Sequence, residues 1–248
     1  MGKVHNVDRF EVFALSGIPE IQPGMDLPKA IFTSLSLHGG VNDNDIIVIA
    51  SKVISKSENM YLSTSEIVPT RQALELAEKT GKPAKICQIV IDESQRVWTN
   101  GSALLALHKQ GFELSSAGVD RISDDMVILL PRDPDKSAKE VSHGLFQLSG
   151  KNIAVVISDS HGRGDRAGAG AVALGVYGVD PIRLSETTLP NGKVKVADET
   201  VCDMFAATAS IIMGQRGRGI PAACIRGVSY DFSDDVSVKR ILHHAPKV

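Results

Sequence analysis

The chain has 248 residues, 43% of them hydrophobic, with 27 Lys and Arg against 29 Asp and Glu for a net charge of -2. That is apolar material enough for a real core, and without a block of like charge there is no electrostatic footprint for nucleic acid or anionic lipid, which favours small-molecule partners. Cys87, Cys202 and Cys224 lie far apart in no CxxC spacing and the N-terminus has no apolar signal core, so the expectation is a cytoplasmic protein with neither disulfides nor structural zinc and, lacking a run of roughly 18 apolar residues, no membrane span.

In chain order, FEVFAL (10–15) reads as a strand, LPKAIFTSLSL (27–37) as a helix and DIIVIA (45–50) as a strand apolar on both faces. ASKVISKSEN (50–59) follows with Ser51, Lys52, Ser55 and Lys56, a cluster of phosphate-binding residue types at a strand exit. TRQALELAEKTGKPAKICQIVIDES (70–94) has helical periodicity broken by Gly81 and Pro83. ELSSAGVDR (113–121) sets Asp120 after a small-residue turn, and DMVILL (125–130) is a further strand. In LPRDPDKSAKE (130–140), a candidate hinge, Asp133 and Asp135 are conceivable metal ligands. Pro134 argues instead for a turn, with Ser137 and Glu140 as a capping box for a helix over 137–148.

IAVVIS (153–158) reads as another buried strand, ending on Asp159, Ser160, His161, Gly162 and Arg163. Strand ends are where α/β sheets expose their ligand crevices. His161 alone reads as a hydrogen-bonded loop residue rather than a base. The stretch 162–180 is rich in Gly and Ala, suited to close approach of a ligand or, equally, to small-residue packing. A helix over 199–214 leads into IMGQRGRGIP (212–221), a glycine-spaced loop with Gln215, Arg216 and Arg218 that suits a phosphate cradle, and AACIRG (222–227) is the last strand. The class is α/β or α+β, without repeats or low-complexity linkers.

The usual nucleotide fingerprints are absent. LFQLSGKN has Leu145 where a Walker A loop needs its first Gly and Asn152 where it needs Ser or Thr, and Gly168-Ala-Gly170 does not follow a strand pattern. What remains is two carboxylates, a hydroxyl and an amide. These are hard oxygen donors of the kind Mg²⁺ or Mn²⁺ accepts while holding phosphates, although each cluster also fits a solvated turn.

The ordered succession LSGIPEIQPGMDL, ASKVISKSEN, CQIVIDES, SAGVD, LLPRDPDKSA, ISDSHGR, AVALGVYG and IMGQRGRGIPAACIRG resembles the coenzyme F420:L-glutamate ligase family. These are the γ-glutamyl ligases that build the polyglutamate tail of a deazaflavin. The resemblance covers roughly 10–230 and implies a mixed-sheet α/β fold that is neither P-loop nor Rossmann, in an intertwined homodimer. It implies residues 1–248 as one ligase domain in the stand-alone form, without a C-terminal flavin-binding extension. It also implies GTP, with ATP as an alternative, two divalent ions (Mg²⁺ or Mn²⁺), a monovalent cation as a further candidate, and an acyl-phosphate route. Carried over by position, Asp120, Asp159, Ser160 and Gln215 hold the metals. Ile18, Pro19, Ile21, Ser51, Lys52, Lys56, Ser123 and Arg216 contact the nucleotide, and Asp120, Asp159, Lys56 and Arg163 are the catalytic set.

Ser116 and Ser123 stand where the family usually has asparagine, Asp165 where it has a bulky aromatic, and Met204 where an acidic residue is common. These departures spare the metal set and fall on base selection and the second substrate. The alternatives are therefore an amide ligase of the same fold acting on another carboxylate, or a non-catalytic nucleotide-binding relative.

Overall fold

The computed structural model describes residues 3–5, 7–162, 166–215 and 217–244. The chain opens with β1 (Glu11–Ala14), α1 (Leu27–Ser36), β2 (Ile46–Ala50) and α2 (Ser51–Ser57). It continues through β3 (Tyr61–Ser63), α3 (Arg71–Thr80), α4 (Ala84–Asp92), β4 (Ser94–Asn100), β5 (Ala103–His108), β6 (Glu113–Ser115), β7 (Asp120–Arg121) and β8 (Met126–Ile128). It ends with α5 (Pro134–Ser149), β9 (Ala154–Gly162), β10 (Ala169–Tyr177), β11 (Ile182–Thr188), β12 (Val194–Thr200), α6 (Val201–Met213) and β13 (Ala222–Arg226).

The fold is mixed α/β. Its central sheet runs β1-β13-β2-β9-β10, with β2 and β9 parallel and every other pairing antiparallel. The doubly apolar runs are its inner strands, as their composition requires, because both faces are covered. Ile47, Ile49, Val155 and Ile157 pack under Ile31 and Leu35 of α1 and Val141 and Leu145 of α5. Ile46, Val48, Ala154 and Val156 face Cys202, Phe205 and Ala209 of α6. Asp45, fully buried, receives Arg226 through Nε at 2.8 Å and Nη2 at 2.7 Å, which ties β13 to the start of β2.

Between α2 and α5 the chain makes an excursion, a smaller lobe with the sheets β3-β8-β7 and β4-β5-β6 and a core of Leu76, Ile89, Val90, Leu104 and Val127. Its two ends meet: Tyr61 pairs with Ile128, and the Leu129 N–H donates to the Met60 carbonyl at 3.0 Å. Glu58 clasps them by accepting from the Arg132 N–H at 3.1 Å and from Ser137 Oγ. After β10, strands β11 and β12 form a two-stranded ribbon.

The helix breaks at Gly81 and Pro83 fall where expected, between α3 and α4. The capping box does not form. Pro134 takes the first turn of α5, so the cap is Asp133, whose carboxylate accepts the Lys136 N–H at 3.1 Å; Ser137 lies inside the helix. Residues 134–140 are thus helix rather than hinge. Asp135 is a structural tie, accepting from the Val176 N–H at 2.9 Å and Ser237 Oγ at 2.6 Å. Most of the Gly/Ala-rich stretch becomes strand β10, and Gly175 in it serves packing, since a Cβ there would lie 2.4 Å from the Pro134 carbonyl carbon, whereas Gly168 and Gly170 have open space around them.

Candidate active site

Ala50, the last residue of β2, pairs with Ser158 in the middle of the parallel strand β9. The residues that follow, Ser51 and Asp159, are therefore neighbours, and Ser51 Oγ donates to Asp159 Oδ1 at 3.0 Å. Strand β9 runs on through Gly162, so Asp159 and Ser160 sit within the strand rather than at its end, and His161 is a strand residue rather than the loop residue expected. Side chains alternate along a strand. Val155, Ile157 and Asp159 share the side of α1, α2 and α5. Ala154, Val156 and Ser160 share the side of α6, where Ser160 Oγ donates to Gln215 Oε1 just past the end of that helix.

Asp120 comes from the smaller lobe. The turn before it winds left-handed through Ser116 (φ 51°), Ala117 (φ 53°) and Gly118 (φ 69°), a conformation that costs side-chain-bearing residues roughly 1–2 kcal/mol each. A Cβ on Gly118 would come within 2.5 Å of Leu130, so glycine is required there for space as well as for φ. β9 passes this turn closely enough that a Cβ on Gly162 would touch Ser115 Oγ at 3.8 Å. Asp120 Oδ2 meets Lys52 Nζ at 2.8 Å.

The electrostatics agree with this convergence. Burial, and secondly the nearby Asp120 carboxylate, push Asp159 up to about 7, against the opposing effects of the Ser160 N–H, Ser51 and Lys52. Two carboxylates lie near each other, and among the described residues the cation in contact with them is the Lys52 ammonium. Asp120, Asp159 and Ser51 lie together on one side of β9 and Ser160 with Gln215 on the other, and all five offer oxygen. Among the described residues no three His, Cys, Asp or Glu side chains cluster, so a cation here would rest on two carboxylates completed by neutral oxygens. That is a set for a hard, partly hydrated ion.

The other sequence-derived positions spread outward. Lys56 of α2 is largely buried and forms an ion pair with Glu20. Glu20 belongs to the same segment as Ile18, which packs on the core, and Pro19, which is exposed. The Ile21 side chain is buried in the core. Ser123 is exposed in the β7–β8 turn, its N–H donating to the Met126 carbonyl at 3.1 Å. Arg163 and Arg216 lie outside the described residues. Arg218 is turned back on α6, donating through Nη1 to the Ile211 and Ile212 carbonyls at 3.1 and 3.3 Å. Glu20 and Glu58 were missed in the sequence; the one available signal was a lone acid inside the otherwise uncharged GIPEI.

Residues 17–227 match the F420-0:Gamma-glutamyl ligase family. The coenzyme F420:L-glutamate ligase of Methanosarcina acetivorans is 35% identical over 93% of this chain and 91% of its own length. That of Methanothermobacter thermautotrophicus is 36% identical over 93% and 94%. The Archaeoglobus fulgidus ligase of the same name is 35% identical over 89% of each chain. With the match spanning both the sheet and the lobe that meet at Asp159 and Asp120, the chain belongs to the F420-0:gamma-glutamyl ligase family.

Proposed function

We propose that the chain is a γ-glutamyl ligase that joins L-glutamate to the deazaflavin F420-0, using GTP, with ATP as the alternative nucleotide, and divalent cations. Family membership supports the ligase class and the substrates. The observation that carries the rest is the approach of Asp120 and Asp159, two carboxylates from different lobes, to each other beside Ser51 and Lys52.

Joining a carboxylate to an amine in water requires that the carboxylate be activated. In this reading a carboxylate oxygen of the acceptor attacks the γ-phosphorus as the bond to the nucleoside diphosphate breaks. The neutral amine of glutamate then attacks the acyl carbon, inorganic phosphate leaves, and the amine proton passes to solvent. Asp120 with Asp159 would hold one divalent ion, and Ser160 with Gln215 would supply oxygens to a second. Mg²⁺ or Mn²⁺ bound there supplies neutralisation of charge on the phosphate oxygens. Ser51 orients the Asp159 carboxylate through its hydrogen bond. Lys52 and Lys56, both on α2, present ammonium groups for phosphate, and Arg163 and Arg216 extend that set by position in the sequence.

We further propose a homodimer. Supporting it, Leu184, Val194 and Val196 stand 51%, 58% and 51% exposed on one face of the β11–β12 ribbon, an apolar surface of the kind that second copies cover.

The test is incubation with F420-0, glutamate, Mn²⁺ and either GTP or ATP, read by mass spectrometry. Added glutamyl units support the reading. Nucleotide hydrolysis only with a different carboxylate would redirect it to another amide ligase, and no turnover with any acceptor would leave a binding protein.

A further inference from the structure

We propose that Lys52 is an internal counterion that a divalent metal must displace, so that arrival of the metal releases Lys52 to the nucleotide phosphates. The inference rests on the metal reading above. Consecutive residues at the start of α2 address the two carboxylates separately: Ser51 Oγ reaches Asp159 Oδ1 at 3.0 Å and Lys52 Nζ reaches Asp120 Oδ2 at 2.8 Å. Asp120 and Asp159 repel each other, and of the cations described here Lys52 is the one in contact with either. Its ammonium therefore offsets charge where a dication would.

The two cations oppose one another. An ammonium at hydrogen-bond distance and a dication ligated at about 2.0–2.6 Å compete for the one Asp120 carboxylate, and held side by side on it they repel each other. Once both carboxylates are ionised, a single positive charge also compensates only half of what they carry. Lys52 is suited to exchange, since its side chain is 44% exposed and is not clamped by packing, whereas Lys56, one turn along the same helix, is 19% exposed and engaged by Glu20. Metal would thus turn Lys52 from a carboxylate partner into a phosphate partner while Lys56 stays in place. Metal and nucleotide would then bind with positive coupling, beyond what their direct attraction gives.

Two measurements without acceptor or turnover test this. In the first, the wild-type protein is treated with a limiting amine-acylating reagent, with and without Mn²⁺, and modification is mapped by peptide mass spectrometry. Labelling of Lys52 should rise several-fold on adding Mn²⁺ while that of Lys56 does not change. In the second, calorimetry without nucleotide should show Lys52→Met binding Mn²⁺ several-fold more tightly than wild type. The same variant should bind nucleotide more weakly in the presence of Mn²⁺. Lys56→Met, which removes the same charge one turn away, should not tighten Mn²⁺ binding. A merely structural role for Lys52 would weaken both ligands together. If wild type binds Mn²⁺ and Asp159→Asn does not, yet Lys52→Met binds it no more tightly and Lys52 labelling is indifferent to Mn²⁺, the counterion role is wrong and the metal reading stands. If wild type and Asp159→Asn alike fail to bind Mn²⁺, the metal reading fails and takes this inference with it.

Discussion

Ser51 and Asp159 are 108 residues apart in sequence and hydrogen-bonded at 3.0 Å. Their meeting follows from the central sheet's single parallel pairing, which brings the carboxyl end of β2 beside the middle of β9. A crevice at that edge is where α/β sheets place ligands. The same relationship makes Asp159 costly to the fold and valuable to the site.

Asp159→Asn should therefore trade stability against activity. With Asp159 raised from 3.8 to about 7, the folded, metal-free protein retains a proton that the unfolded chain has released, so stability falls as pH rises between those values. Asn does not ionise. In excess chelator at pH 8 the variant should melt a few degrees above wild type, with the gap closing towards pH 4. Its ligation rate should fall at least about a hundredfold, roughly 3 kcal/mol of transition-state stabilisation. Near-wild-type turnover would return Asp159 to an ordinary strand residue.

Removing the metal should weaken the nucleotide. Without a dication, triphosphate oxygens approach Asp120 and Asp159 with like charge, and affinity in chelator should drop at least about tenfold against that in Mn²⁺. Titration calorimetry under the two conditions decides it, and equal affinities would contradict the metal assignment.

Asp45→Asn tests the sheet and leaves the site alone. It removes the negative partner of Arg226, whose guanidinium is held by Asp45 and by the His38 and Gly40 carbonyls. Breaking such a buried pair should cost about 3 kcal/mol, read from the urea midpoint, with metal affinity unchanged under native conditions.

The left-handed turn gives opposed variants. Gly118→Ala combines φ of 69° with a clash at 2.5 Å against Leu130, so it should lower both the melting temperature and Mn²⁺ affinity by displacing Asp120. Ser116→Asn places a residue that tolerates φ of 51° better and should raise the melting temperature slightly. The reverse order of the two would mean that the turn does not position Asp120.

Sedimentation should give a dimer at micromolar concentration. Val196→Lys, a change on the exposed ribbon face, should shift it towards monomer without lowering the unfolding transition of the protomer. A wild-type monomer that turns over would refute the homodimer.

The inner strands and four of the helix regions were legible because their signals are local: β-branched runs at 45–50 and 153–158, and three-to-four-residue spacing at 27–37 and 70–94. Helix α2 was not, since seven residues of SKVISKS offer too few turns for a period and read equally as a loop. Strand β10 was hidden by Gly and Ala, whose meaning lies in the α5 backbone packed against Gly175. The ligand residue types of the site were visible, but their convergence was not. Nothing local in SAGVD says that it approaches β9, and the partners of Lys52 and Lys56 are set by packing between distant segments.

The excursion that carries Asp120 leaves and re-enters the larger lobe at adjacent points, Met60 and Leu129. In topological terms it is one long loop, and the entropy of closing a loop grows only with the logarithm of its length. Descendants of this chain can therefore lengthen, shorten or exchange the lobe while the register of the central sheet is inherited intact, provided the stretch from Ser116 to Asp120 still arrives at the end of β9. A change of acceptor would accordingly arise more readily by wholesale replacement of the lobe than by point changes in the sheet, and chimaeras joined at residues 60 and 129 are the natural units in which to look for it.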